Sequence, residues 1–170
     1  MPQEHITPSA EAVLERYEKA SAIYSNMCCI NPSEWHRPDT TEFTELRGLL
    51  AVHAEGGNVR CQYALASIYW QGLCSNAQFT RDEYLQAIEK ATLWWVAAAA
   101  QGFWPAIDNL VTSGIGPEAE RAKQECRKLE KDRPNLIGRQ GNMPVYGPEF
   151  MQELCKRCYP DRYPDAVFSG

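Results

Sequence analysis

The sequence predicts an all-α protein, a short stack of antiparallel helical hairpins with about six to seven helices. Apolar residues recur at spacings of three and four along most of the chain, which is the period of a helix, and alternating runs of β-branched residues are almost absent. Prolines and glycines divide this pattern into segments of helix length. With 170 residues and 44% hydrophobic residues, the chain is long enough to bury a sizeable core.

The predicted helices begin at prolines or capping residues and end at glycines or proline-rich breaks. Their expected bounds are Ala10–Met27, Thr40 or Thr41 to Glu55, Asn58–Gln71, Arg81–Gln101, Trp104–Ser113, Pro117–Asp132 and Pro148–Cys158. Residues 133–147 hold three glycines and two prolines and are expected to be irregular. We therefore predict a helical-repeat domain over residues 1–132, with a connection, a short helix and a tail over 133–170 packed on it.

Three helices show an apolar stripe that predicts which face is buried. In the first helix the stripe is Val13, Leu14, Tyr17, Ala20, Ile23 and Tyr24. In the fourth it is Tyr84, Leu85, Ile88, Leu93, Trp94 and Ala97. In the sixth, a charged helix, it is Ala119, Ala122, Cys126 and Leu129.

The charge is concentrated near the N-terminus. The formal net charge is −5, and residues 1–55, with nine carboxylates and four cations, hold all of this excess. An acidic protein is a poor candidate for nucleic-acid binding, so no nucleic-acid partner is expected. The acidic third is either a solvated face or a surface that steers a basic partner.

No motif in the sequence predicts catalysis, a cofactor or a metal site. The three histidines, His5, His36 and His53, are far apart in the sequence, and Gly114-Ile115-Gly116 lacks the third glycine of a dinucleotide site. The N-terminus lacks a secretory signal and no apolar run is long enough to cross a membrane. We therefore expect a cytoplasmic, non-enzymatic protein without a membrane partner.

Seven cysteines leave several interpretations open. Adjacent Cys28-Cys29 and the pair Cys155 and Cys158 would supply four thiolates for zinc, although the first spacing does not suit a zinc knuckle. A disulfide is a second interpretation, and a Cys28 or Cys29 nucleophile with His36 as base is a third. Free, inert thiols are the interpretation that a reducing compartment favours.

A repeat of 45 residues is visible in the middle of the chain, since Gly57 and Gly102, Cys61 and Ala106, and Leu65 and Leu110 are equally spaced. The segment 61–72, CQYALASIYWQG, resembles the first helix of a Sel1-like repeat, and 90–102, KATLWWVAAAAQG, resembles its second helix. The resemblance covers residues 57–114. Ala66 and Val111 stand where the family has glycine, the loop over 73–80 is longer than usual, and the flanking copies are degenerate.

The resemblance implies a fold like that of tetratricopeptide arrays, with Leu65, Tyr69 and Trp94 between the helices. Such arrays bind partners on the surface lined by their first helices. Carried over by position, the candidate partner-binding residues are Arg60, Tyr63, Ser67, Trp70, Gln71, Trp104, Pro105, Asp108 and Thr112. The alternative is that the tail over residues 159–164 covers this face.

Many Sel1-like proteins are adaptors, and small bacterial ones often accompany secreted toxins as immunity proteins. The resemblance therefore implies a non-catalytic protein–protein interaction module, a cytoplasmic immunity protein that binds and occludes a cognate bacterial toxin or effector. The alternative is an adaptor or chaperone in signalling or in the assembly of a secretion complex.

Overall fold

A computed structural model gives the structure of the chain. It describes residues 7–28, 40–71 and 80–162, and for residues 24–28 and 40 it describes the backbone alone. The described part is all-α, as predicted, with seven α-helices, two short 3-10 turns and one two-stranded hairpin. The helices are α1 Ala10–Cys28, α2 Thr40–Glu55, α3 Val59–Gln71, α4 Arg81–Ala99, α5 Trp104–Ser113, α6 Pro117–Asp132 and α7 Pro148–Cys158, and the strands are β1 Ile137–Gln140 and β2 Met143–Tyr146.

Glycines end the helices on both sides of the predicted repeat in the same way. Gly57 and Gly102 have positive φ values of 91° and 86°. After α2, the Asn58 N–H donates to the carbonyl of His53, and after α4 the Phe103 N–H donates to the carbonyl of Ala98. Both sets of bonds form the Schellman motif, which needs a left-handed residue that glycine adopts without steric cost.

Contacts divide the chain into two compact units, Met1–Ala87 and Ile88–Gly170. In the first unit, α2 packs against α1 and α3, and α1 also contacts α3. Among the residues described in this unit, the large buried apolar side chains are Val13, Leu14, Phe43, Leu46, Leu50, Leu65 and Ile68. Arg16 of α1 joins α2 by ion pairs with Glu42 (2.5 Å) and Glu45 (2.9 Å).

In the second unit, α5, α6 and α7 pack against one another. The largest fully buried side chains there are Trp95, Ile107, Leu110, Leu129, Phe150, Met151 and Leu154. Thr92, a buried polar residue of α4, accepts a hydrogen bond from the Ile115 N–H at 3.2 Å, so its hydroxyl has a partner. This bond fixes the turn between α5 and α6 against the C-terminal part of α4.

The structure confirms one predicted buried face and corrects two. In α6, all four predicted positions are buried. In α4 the core face is Ile88, Ala91, Thr92, Trp95, Ala98 and Ala99, which shares only Ile88 with the predicted stripe. Trp94 is only half-buried, while Leu93, Tyr84 and Leu85 are exposed. In α1, Val13 and Leu14 are buried as predicted, but Tyr17 and Ala20 are half-buried and Ile23 is exposed. The Tyr24 side chain lies outside the described part.

The connection over residues 133–147 is regular, contrary to the prediction. A 3-10 turn, Pro134–Leu136, leads into β1, and β1 pairs antiparallel with β2. The loop between the strands is Gly141-Asn142, where Gly141 has a φ of 62° and Asn142 has a negative φ. A positive φ at the first loop position alone is that of a type II′ turn, the kind that suits the twist of a hairpin.

Candidate protein-binding surfaces

The predicted binding residues fall into two sets, which we describe separately. Arg60, Tyr63, Ser67, Trp70 and Gln71 lie on α3 in the first unit, while Trp104, Pro105, Asp108 and Thr112 lie on α5 in the second unit. Within each set, spacings of three and four place the side chains on neighbouring parts of one helix side.

Helix α1 contacts the N-terminal and middle part of the α3 set. Arg60 pairs with Glu18 of α1 at 2.8 Å, and both side chains are more than half exposed. Ser67 is half-buried, its hydroxyl donates to the Tyr63 carbonyl at 3.1 Å, and it also bonds the Tyr17 hydroxyl of α1. Burial raises the pKa of Tyr17. These contacts hold α1 against α3, so this part of the predicted face has a structural role.

The C-terminal end of α3 presents the exposed part of the set. Trp70 is 40% exposed, and Gln71 is exposed beside it. Helices α1 and α3 both begin near His53, whose ring bonds the Pro8 carbonyl at 2.8 Å, and farther along them Tyr17 bonds Ser67, so the two helices run in the same direction.

Ile23 lies in the C-terminal third of α1, and Trp70 is the second-last residue of α3. Ile23 is 63% exposed. Two large apolar side chains, Ile23 and Trp70, are therefore exposed at the same end of the first unit. We call these two residues together with Gln71 the α1–α3 end surface.

Acidic side chains flank this surface along α1. Glu11, Glu15 and Glu18 are exposed, and Glu15 pairs with Lys19 at 2.7 Å. Lys19 stabilises the ionised Glu15 carboxylate by a hydrogen bond and by its charge, and so lowers the pKa of Glu15. This carboxylate is therefore ionised at neutral pH, and the exposed side of α1 is predominantly negative.

The α5 set in the second unit is less exposed. Trp104 and Asp108 are half-buried, and burial raises the pKa of Asp108. The Asp108 charge acts on the Cys126 thiol, which places this carboxylate near α6. Thr112 is exposed, but its hydroxyl donates to the Asp108 carbonyl of its own helix at 2.9 Å. Of this set, Thr112 alone is exposed.

The cysteines of the second unit are free thiols in the core. Cys126, Cys155 and Cys158 are buried and unpaired, as is Cys61 in the first unit. Burial raises the pKa of Cys126 to about 11 and those of Cys155 and Cys158 to about 12. A thiol that keeps its proton is a poor nucleophile and a poor metal ligand.

Several residues of the other cysteine interpretations lie outside the described part: Cys29, Cys74, His36 and the Cys28 side chain. Those interpretations therefore stay predictions. Among the residues that the structure describes, no group of three or more His, Cys, Asp or Glu side chains is placed to hold a metal ion. None of the described helices has both the length and the apolar character needed to cross a bilayer.

Comparison with protein-family models, with curated proteins and with solved structures finds no match to this chain. A second exposed apolar feature, which was not expected from the sequence, lies on the hairpin of the second unit. There Met143 is 72% exposed and Val145 is 43% exposed. The signal that would have revealed the hairpin is the Gly141-Asn142 pair between two short segments, a common two-residue hairpin loop.

Proposed function

We propose that this chain is a non-catalytic protein–protein interaction module, and that it is a cytoplasmic immunity protein which binds and occludes a cognate bacterial toxin or effector. Of its residues, we expect Trp70 to contribute most to the free energy of binding. The observation that supports the proposal most directly is the α1–α3 end surface, where Trp70 and Ile23 are exposed together.

A tryptophan at such a place is suited to binding a protein. Isolated exposed apolar residues are common on protein surfaces. Trp70 and Ile23 are 40% and 63% exposed on two helices of the same unit, so part of the apolar surface of each is open to a partner. Burying them would remove apolar area from water at about 25 cal/mol per Å². Tryptophan is also among the residues that contribute most to binding energy at protein interfaces.

The charge of the first unit favours a basic partner. Its eleven acidic and six basic residues account for the whole net charge of the chain. Exposed carboxylates on α1 would accelerate encounter with a positively charged surface and would contribute less to final affinity. A toxin that acts on a nucleic acid needs a basic cleft, which makes it one suitable partner class.

The resemblance to Sel1-like repeats adds to the proposal. The helices before Gly57 and before Gly102 end in the same Schellman motif, and the equivalent residues Cys61 and Ala106 are both fully buried. The 45-residue period of the sequence therefore corresponds to a period in local structure. Proteins built from such repeats commonly act by binding other proteins.

The test is affinity capture from an extract of the native host with the intact tagged chain. Trp70→Ala removes the exposed indole, and Val52→Ala is the matched control, because Val52 is 55% exposed on α2 of the same unit. We expect one stoichiometric partner that is retained by the wild type and by Val52→Ala and is lost with Trp70→Ala. Expressed alone, that partner should arrest growth, and co-expression of the wild-type chain should restore it.

Two outcomes would contradict the proposal. Several substoichiometric partners, none of them toxic, would overturn the immunity assignment in favour of an adaptor or chaperone. A toxic partner bound equally by Trp70→Ala would show that the α1–α3 end surface is not the interface.

A further inference from the structure

The hairpin of the second unit has one face on the core and one face in solvent. The paired residues are Ile137 with Tyr146, Gly138 with Val145, Arg139 with Pro144, and Gln140 with Met143. Tyr146 stacks on Phe150 with ring centroids 4.8 Å apart, and its hydroxyl donates to Glu130 of α6. Since side chains alternate between faces, Met143 and Val145 lie on the opposite, solvent side.

This solvent face is apolar where an exposed hairpin face is normally polar. Met143 and Val145 are exposed, and opposite them stand Gln140 and Gly138, of which the glycine has no side chain to cover Val145. Such a departure from the usual alternation is typical of a binding surface.

The hydrogen-bond pattern shows which edge of the hairpin is open. Gln140 and Met143 close a two-residue loop and therefore form a hydrogen-bonded pair, so the next pair, Arg139 with Pro144, does not exchange hydrogen bonds. The backbone groups of this pair point away from the hairpin. On β2 that position is a proline, which has no N–H to donate and blocks pairing. On β1 it is Arg139, which presents both an N–H and a carbonyl.

The segment of the chain that leads into and includes the hairpin is basic. Between residues 127 and 146 the chain has five basic and two acidic residues. Both acidic residues have partners, since Glu130 accepts from Tyr146 and Asp132 pairs with Arg157 at 2.7 Å. The exposed cations nearest in sequence to the edge are Lys131, Arg133 and Arg139.

We infer that the outer edge of β1, together with Met143 and Val145, is a docking site for an extended acidic segment of a partner protein, which adds to the hairpin as a third strand. Main-chain bonds to Arg139 hold the strand. Alternate apolar side chains of the segment lie on the same face as Met143 and Val145 and extend over Gly138, which has no side chain, toward Val145, and carboxylates on the other face meet Arg139. This surface is separate from the α1–α3 end surface and does not depend on the proposed function.

A second copy of this chain is a poorer occupant. Pairing of two β1 edges would bring two Arg139 side chains together, and a charge on an edge strand opposes that kind of self-association. The charge of the edge thus selects an acidic partner over a second hairpin.

The probe is a fluorescein-labelled peptide of alternating Glu and Val residues, titrated into the intact protein and followed by fluorescence anisotropy. Controls are the same peptide with Lys in place of Glu, and a Glu/Val peptide N-methylated at alternate residues, which cannot pair along the edge. Arg139→Glu and Met143→Ser test the site, and Arg81→Glu makes the same charge change on an exposed residue of the other unit. Equal melting temperatures establish that the variants fold.

We expect the Glu/Val peptide to bind saturably and to slow the hydrogen exchange of the Arg139 amide. Arg139→Glu should raise the Kd of this peptide about tenfold or more, which corresponds to a loss of about 1.4 kcal/mol of binding free energy. Arg81→Glu and Trp70→Ala should leave this Kd unchanged. The inference is wrong if the Lys or N-methylated peptide binds as well, if the wild type does not bind the Glu/Val peptide, or if Arg139→Glu binds like the wild type. A concentration-dependent dimer that Arg139→Glu abolishes would also overturn it, because the occupant would then be a second copy.

Discussion

Trp94 and Trp95 are neighbours in the sequence, but only Trp95 lies in the core of the second unit. Trp95 has no exposed surface and Trp94 is half-buried, although the family resemblance implied that Trp94 is the core residue. Successive residues of an α-helix differ by about 100° in direction around the helix axis, so Trp94 and Trp95 point to different sides of α4. Because apolar residues occupy both sides of α4, the sequence pattern alone does not identify the buried face.

Truncation of Trp95 should therefore be far more costly than truncation of a nearby exposed residue. We expect Trp95→Ala to lower the free energy of unfolding by about 3–5 kcal/mol, because it leaves a large cavity. Leu93 is 70% exposed, so Leu93→Ala should lower the free energy of unfolding by about 0.5 kcal/mol or less. Urea unfolding followed by circular dichroism measures both. Similar losses for the two variants would mean that the buried face of α4 is assigned wrongly.

The buried thiols should make the protein less stable as the pH rises into the alkaline range. Burial raises the pKa of Cys155 from an ordinary value of 9.0 to about 12. Between these two values the unfolded chain loses the proton and the folded chain keeps it, so the unfolded state gains stability as the pH rises. Below pH 9 the Cys155 thiol should not reduce the free energy of unfolding. Between about pH 9 and about pH 12 the free energy of unfolding should fall.

A series of urea unfolding curves from about pH 8 to about pH 11 tests this dependence. The control is Cys155→Ala, which removes the titrating group and should lose stability less steeply over the same interval. Equal slopes for the wild type and the variant would show that Cys155 does not titrate differently in the two states.

At the scale of elements, most helix bounds were predictable because prolines and glycines mark them. The predicted bounds of α2, α5, α6 and α7 agree with the structure, and three of these helices have proline in the first turn. The hairpin was not predicted, because its four-residue strands are too short for a periodic pattern. Its Gly141-Asn142 loop was a usable local signal. The partner-binding role of α3 and α5 was predicted from the family resemblance. The exposure of Trp70 and the contacts of α1 with α3 depend on tertiary packing, which the sequence pattern does not give.

Glycines in different elements should respond in opposite ways to the same substitution. Gly57 has a φ of 91°, so Gly57→Ala forces a left-handed alanine and should destabilise the protein by about 1 kcal/mol or more. Gly48 lies within α2, and a methyl group added there would meet no neighbouring atom within 4 Å, so Gly48→Ala should stabilise by up to about 1 kcal/mol. Thermal unfolding measures both changes. Unchanged stability of Gly57→Ala would contradict this account of the α2 cap, and a loss of stability in Gly48→Ala would contradict the open surroundings of Gly48.

At the scale of the whole molecule, the two compact units differ in charge and in the kind of surface that they expose. The first unit carries the entire acidic excess and an exposed tryptophan at the end of α3. The second unit is balanced at eleven acidic and eleven basic residues and exposes a basic hairpin edge. The two surfaces have different chemistry, so each should respond to substitutions in its own unit.

The measurement that tests the central proposal most directly is capture of a partner by the intact chain with Trp70→Ala and Val52→Ala run in parallel. The account predicts one stoichiometric partner, held by the wild type and by Val52→Ala, lost with Trp70→Ala, and toxic to cells unless the wild-type chain is present. The absence of any stoichiometric partner, or a partner held equally by all three proteins, would contradict it.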